Sequence, residues 1–222
     1  MNRVFRYRDR AEAGQLLARA LDKYTDRDAA LVLALPRGGV PVGFEIAKRL
    51  NVPLDVFLVR KLGVPWHPEL AMGAIASGGI VVLNDSVVQH YGIPPHVIRA
   101  VASREEQELQ RCAREYRGSR PFLDLGGRIV ILVDDGLATG STMRAAVAAV
   151  RQQRPAAIIV AVPVAATETC DEFRHEVDQI ICLQTPDPFS AVGLWYENFS
   201  QTTDDEVRKL LAEAPAPLPA SR

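Results

Sequence analysis

Asp134 and Asp135 stand side by side after an apolar run, Ile129 to Val133, and just before Gly136-Leu137-Ala138-Thr139-Gly140-Ser141-Thr142. Adjacent carboxylates suit a polyol, because each ionised oxygen can accept a hydroxyl hydrogen bond. At the end of a buried strand they are costly without a partner. A loop of small residues running into a helix aims backbone N–H groups at one point, and such a nest binds anions, phosphate above all. Carboxylates on one side and a phosphate nest on the other describe a ribose 5-phosphate. The loop is not a nucleotide P-loop, because no Lys follows its last Gly.

Those residues need a frame to hold them. Ile129 to Val133 is continuous, rich in β-branched residues and preceded by Gly126-Gly127, which favours a strand covered on both faces in a parallel sheet. The carboxylates then emerge at its carboxyl edge, where open α/β sheets bind ligands. Ser141 or Thr142 can cap the helix that follows, Met143 to Gln153.

A second unit brings cations to the same edge. Ala29 to Leu35 is apolar and ends at Pro36-Arg37-Gly38-Gly39, a helix pattern runs from Val40 to Leu50, and Leu54 to Val59 is apolar and ends at Arg60-Lys61. This reads as a βαβ unit. Arg37 and Lys61 as charges, with Gly38 and Gly39 through open backbone N–H groups, can hold a pyrophosphate.

The remainder continues the alternation, with strands at Ala157 to Ala165 and Gln179 to Leu183 around a helix from Glu168 to Glu176. A first helix over Phe5 to Leu21, with Asp9 as N-cap, reads as a packing helix. Ala71 to Ala76 and Ile80 to Leu83 flank Ser77-Gly78-Gly79 and predict an antiparallel hairpin. Asp85 to Tyr91 predicts a short helix, and Pro94-Pro95 starts a long one reaching Tyr116. The long helix interleaves Arg99, Arg104, Arg111, Arg114 and Arg117 with Glu106, Glu108 and Glu115. That mixture marks a solvated helix laced with ion pairs more than an RNA-binding face. Asp204 to Ala212 predicts a closing helix, and residues 214–222, rich in Ala and Pro, a disordered tail.

The segment Val133-Asp134-Asp135-Gly136-Leu137-Ala138-Thr139-Gly140-Ser141-Thr142 resembles the phosphoribosyl pyrophosphate (PRPP) motif of type I phosphoribosyltransferases. The resemblance implies that Asp134 and Asp135 hold the ribose hydroxyls, and that Gly136 and Ala138 to Thr142 form the 5-phosphate loop. Pro36-Arg37-Gly38-Gly39 resembles the pyrophosphate loop of that family, in which one non-proline peptide is often cis. Arg60-Lys61 resembles the basic pair opening its flexible catalytic loop. The hairpin then corresponds to a mobile lid over PRPP, with Glu69 loosely like an acidic lid residue of some purine transferases.

Pro186-Asp187-Pro188-Phe189 with Gly193 and Glu197 faintly resembles the base-binding segment of hypoxanthine-guanine phosphoribosyltransferases. It makes Phe189, Trp195 and Glu197 the candidates for the acceptor site. The purine enzymes carry a Lys on the preceding strand, whereas Val160 to Ala166 contains none, so the identity of the base stays open. With Arg6-Tyr7-Arg8-Asp9-Arg10 near its start, the chain is most similar to the group of predicted phosphoribosyltransferases.

The resemblance implies an α/β fold of the type I phosphoribosyltransferase kind: a parallel sheet flanked by helices, with a small hood or lid. One domain over residues 1–213 is expected, with its core about 1–65 and 121–184 and its hood about 66–120 with 185–213. Mg²⁺ is expected mainly through PRPP oxygens, with no certain protein ligand. A nitrogen nucleophile attacks the anomeric carbon and pyrophosphate leaves. A non-catalytic regulator responding to PRPP or a nucleotide, with RNA contact through the long helix, is the alternative on the same fold.

Composition sets the outer bounds. The chain has 222 residues and a formal charge of −1, enough to bury a sizeable core and against broad nucleic-acid binding. Cys112, Cys170 and Cys182 lack a paired spacing and read as reduced thiols. Met1 to Arg10 has no apolar core of a signal peptide, and no apolar run is long enough to span a bilayer. A cytoplasmic homo-oligomer, a dimer, acting on small molecules is expected.

Overall fold

The computed structural model describes residues 5–118, 120 and 122–215. Five parallel strands form the main sheet: β1 (Ala30–Ala34), β2 (Leu54–Val56), β6 (Ile129–Val133), β7 (Ala157–Val164) and β8 (Gln179–Gln184). Their order is β2-β1-β6-β7-β8. Every residue of β1 is buried, because the sheet is covered twice. Ala30, Val32 and Ala34 face α1 (Arg10–Arg19), α2 (Gly39–Leu50) and α7 (Asp204–Glu213). Leu31 and Leu33 face α5 (Ser141–Gln152) and α6 (Thr167–Glu176). This is the period-two alternation of a strand, with apolar residues on both sides.

A separate three-stranded antiparallel sheet carries the hairpin: β3 (Val59–Val64), β4 (His67–Ala76) and β5 (Ile80–Leu83). Leu62, Val64, Met72 and Ile75 pack there against α4 (Pro95–Arg117), through Val101 and Leu109. Between the hairpin and α4 lies the short α3 (Asp85–His90).

The structure corrects the reading of Leu54 to Val59 as one strand. The parallel strand ends at Val56, and the chain turns into the second sheet at Val59. Phe57 and Leu58 keep the run apolar because they fill two different cores at the corner. Their hydrophobicity reports burial, not a continuous strand. The first helix is also shorter than expected, starting at Arg10, with Asp9 accepting from Glu12 N at 2.8 Å. Tyr7 instead lies in extended backbone and pairs with Tyr196 as a parallel bridge.

The long helix runs Pro95–Arg117 and its charges are paired as expected: Arg111 with Glu108 and Glu115, and Arg104 with Glu105. Arg117 is different. It is 8% exposed, and its Nε donates to both oxygens of Asp55, itself 6% exposed, at 2.7 and 2.9 Å. Cys170 and Cys182 are free, with their sulfurs 2.8 Å apart. Among the described residues no helix is long and apolar enough to cross a membrane. Most of the expected tail, residues 216–222, lies outside the described residues.

Candidate active site

β1 and β6 pair in parallel with Ala34 opposite Val133, and Leu35 N donates to Val133 O at 2.8 Å. The two chain segments that leave these strands therefore start side by side. One begins Asp134-Asp135 and the other Pro36-Arg37-Gly38-Gly39, with a cis peptide between Pro36 and Arg37. They interlock closely. A Cβ on Gly38 would sit 2.0 Å from Asp135 Oδ2, and one on Gly39 would sit 2.7 Å from Val133 O. Only glycine permits this approach.

Each carboxylate has one oxygen committed within the protein. Asp134 Oδ1 accepts from Asp135 N at 2.8 Å, and Asp135 Oδ2 accepts from Arg10 Nε at 2.8 Å. Among the described residues no hydrogen bond reaches Asp134 Oδ2 or Asp135 Oδ1, and neither is a sealed, unpartnered atom. Burial pushes the pKa of both groups above the usual carboxylate range. The neighbouring Asp135 charge pushes Asp134 further, while Arg10 opposes the rise at Asp135. The pair thus holds two oxygens without a hydrogen-bond partner among the described residues and has a standing preference for one.

The loop after them is pinned from behind. Thr169 Oγ1 donates to Ala138 O at 2.6 Å, and Arg144 Nη1 donates to Thr139 O at 2.7 Å. Because N–H and C=O of one peptide point oppositely, fixing these carbonyls turns the Thr139 and Gly140 amides the other way. Among the described residues no backbone acceptor meets the N–H groups of Ala138 to Thr142. The expected hydroxyl cap is replaced. Gly140, with φ 69°, takes the N-cap position, no side chain caps α5, and Ser141 and Thr142 are its first two residues. A Cβ on Gly140 would lie 2.6 Å from Phe173. The role of Gly136 is also steric, since it admits Val192, whose Cγ1 would be 2.6 Å from an added Cβ.

Arg37, Arg60 and Thr142 line one cleft of about 170 Å³ with Pro36 and Tyr116. Arg37 lies 3.7 Å from Asp204, which also accepts from Tyr116 Oη at 2.6 Å. Arg60 donates to Glu105 at 2.8 Å. Lys61 is placed elsewhere: successive side chains of a strand alternate, and it lies 3.6 Å from the fully exposed Glu69. It lines a larger, mainly apolar cavity of about 400 Å³ between the hairpin and α5. Of the two glycines expected to offer open N–H groups, Gly39 spends its own on Leu35 O at 3.0 Å. Gly38 N–H meets no acceptor among the described residues.

Phe189 and Trp195 stack on each other, centroids 6.5 Å apart and 17° between planes. They pack beside Tyr7, Val164 and Tyr196, outside the Arg37–Arg60 cleft. Glu197 is exposed, and its backbone N–H donates to Tyr7 O at 2.7 Å. Arg10, Arg144, Thr169, Tyr196 and Asp204 were not legible as site residues. The partners that give them meaning lie far away in sequence, and only the Arg-Tyr-Arg-Asp-Arg run hinted at Arg10.

A phosphoribosyl transferase domain family model matches residues 66–197, more than half of the chain. The chain is 47% identical over 206 residues to two Mycobacterium tuberculosis proteins, from strains CDC 1551 and H37Rv, both named provisionally as phosphoribosyl transferases. That alignment covers 93% of this chain and 46% of theirs, so the chain spans about half the length of the curated relatives it matches. The crystal structure of TT1426 from Thermus thermophilus is 42% identical, covers 95% of this chain and 99% of its own, and superposes with a TM-score of 0.84. The chain belongs to the type I phosphoribosyltransferase family.

Proposed function

We propose that the chain is a Mg²⁺-dependent phosphoribosyltransferase that binds PRPP and transfers its phosphoribosyl group to a nitrogen acceptor, a purine-like base, with release of pyrophosphate. The observation that carries this reading is the pair of uncommitted oxygens, Asp134 Oδ2 and Asp135 Oδ1, set between an uncapped amide nest and a two-arginine cleft. Those oxygens accept the two ribose hydroxyls. The amides of Ala138 to Thr142 take the 5-phosphate. Arg37, Arg60 and the Gly38 N–H face the pyrophosphate and stabilise its growing charge as the bond to the anomeric carbon breaks. Holding the ribose at both ends presents that carbon to the acceptor, a gain from positioning.

Among the described residues no cluster of three metal-ligating side chains occurs. In this reading a Mg²⁺ ion would be carried mainly by pyrophosphate and ribose oxygens, where it would neutralise leaving-group charge. Phe189, Trp195 and Glu197 are assigned to the acceptor side, with Glu69 and the hairpin as the lid. The same reading carries a cytoplasmic homodimer acting on small molecules.

The test is pyrophosphate release from PRPP and Mg²⁺ across a panel of nucleobases and aromatic amines, alongside calorimetric titration of PRPP. Turnover with any acceptor supports the transferase. Tight PRPP binding without turnover favours a PRPP-responsive regulator on this fold, and absence of PRPP binding overturns both.

A further inference from the structure

Asp135 is held from outside the motif that contains it. Asp9 fixes the start of α1 by accepting from Glu12 N, which sets Arg10 at the first helical position. From there Arg10 Nε donates to Asp135 Oδ2 at 2.8 Å, and Nη1 donates to Ser200 O at 2.7 Å. The guanidinium lies over the Phe199 ring, 3.9 Å from its centroid. The two side chains of the ion pair are only 11% and 15% exposed. Tyr196 Oη completes the hold, donating to the Asp135 carbonyl at 2.6 Å.

We propose that Arg10 is a positioning residue for phosphoribosyl transfer, holding Asp135 ionised and aimed so that the acidic pair presents one free oxygen from each carboxylate at neutral pH. This rests on the reading of the pair as the ribose clamp.

The physical case is electrostatic. The titratable and charged groups facing Asp135 are Asp134, Arg10 and Tyr196, and of these only Arg10 favours the carboxylate. Two neighbouring carboxyls left without a cation share a proton, and the last ionisation moves upward. A protonated carboxyl is a poorer acceptor for a sugar hydroxyl than a carboxylate. Arg suits this place better than Lys, since its planar group stacks on Phe199 while two N–H groups go to different acceptors.

The sign follows. Arg10 keeps the pKa of Asp135 lower than burial alone would set it, which favours the carboxylate. Removing the charge shifts the pair upward, so PRPP affinity should fall more steeply with falling pH than it does in the unaltered chain.

The experiment compares the full chain with Arg10→Gln, which keeps reach and a donor but no charge, and Arg10→Lys, which keeps the charge. PRPP titrations with Mg²⁺ at about pH 6 and about pH 8 bracket the expected shift. Arg10→Gln should bind roughly tenfold to a hundredfold more weakly at the lower pH and recover part of that loss at the higher, the scale of one charge-assisted hydrogen bond. Arg10→Lys should restore the profile of the unaltered chain. A loss that is the same at both pH values and not rescued by Lys would make Arg10 merely structural and overturn the proposal, as would Arg10→Gln binding like the unaltered chain.

A second readout needs neither PRPP nor a variant: carboxyl-carbon resonances of the free protein, titrated by NMR. Asp135 should ionise at lower pH than Asp134, and the reverse order sinks the proposal whatever the binding data show. Failure of the unaltered chain to bind PRPP would instead remove the ribose-clamp reading and leave this titration order standing.

Discussion

Arg60 and Lys61 are consecutive residues whose side chains leave β3 on opposite sides: Arg60 lines the cleft with Arg37, and Lys61 lines the cavity beneath the hairpin. In the proposed function Arg60, not Lys61, is the residue of this pair that meets pyrophosphate. Arg60→Ala should weaken PRPP binding by roughly tenfold to a hundredfold, the worth of one or two charge-assisted contacts, while Lys61→Ala stays within about threefold. Calorimetric titration of both variants checks this. The opposite ranking would move the pyrophosphate site to the hairpin side.

Asp134→Asn should separate stability from binding. Burial and the Asp135 charge raise the pKa of Asp134 in the folded chain. A carboxyl raised in this way costs stability once pH exceeds its unfolded value, and the cost grows until the folded value is passed. Asn cannot ionise, so near pH 8 the variant should be more stable by about 1 kcal/mol, with the gain shrinking toward about pH 4. PRPP affinity should fall at the same time. Denaturant melts at several pH values, paired with titrations, decide it; a stability difference that ignores pH would refute the assigned cause.

Gly140→Ala and Gly127→Ala form a controlled pair. Both glycines have positive φ, 69° and 67°, yet an added Cβ meets Phe173 at 2.6 Å in the first case and nothing within 4 Å in the second. Backbone strain alone should cost Gly127→Ala about 1 kcal/mol. Gly140→Ala carries the collision as well and should cost about 2–3 kcal/mol. Only Gly140→Ala should also lose affinity for ribose 5-phosphate, because its collision displaces the amide nest. Urea unfolding and ligand titration read the two effects separately.

The Arg117–Asp55 pair offers a test of the join between α4 and the main sheet. Arg117→Met leaves Asp55 buried without its cation and should cost about 3–5 kcal/mol. Adding Asp55→Leu should recover much of that loss, since an apolar pair of similar volume needs no compensation. A double variant no better than the single one, in urea midpoints, would show that packing of Arg117 on Phe122, rather than charge, holds the join.

What could be read in the residues was whatever is local. β6 begins and ends where its β-branched run does, and Asp134 follows directly, because strand burial and strand end are both written within a few positions. The hairpin around Ser77-Gly78-Gly79 was equally visible. Hydrophobicity misled at Phe57 and Leu58, where two cores meet at a corner and keep a turning chain apolar. The cap at Gly140 was missed because a left-handed residue left Ser141 and Thr142 inside the helix. Arg10 was read as part of a packing helix, since its partner Asp135 lies 125 residues away and no spacing rule reaches that far. The same is true of Thr169, whose hydroxyl holds the loop by Ala138 from 31 residues on.

The Tyr7–Tyr196 bridge has a practical consequence for anyone reshaping this protein. It sews an early segment of the chain to a late one, and Arg10, Tyr196 and Ser200 together form a clasp around a carboxylate encoded midway between them. Trimming the early segment would spare every strand of the parallel sheet and still undo the clasp, leaving Asp135 without the guanidinium that holds it.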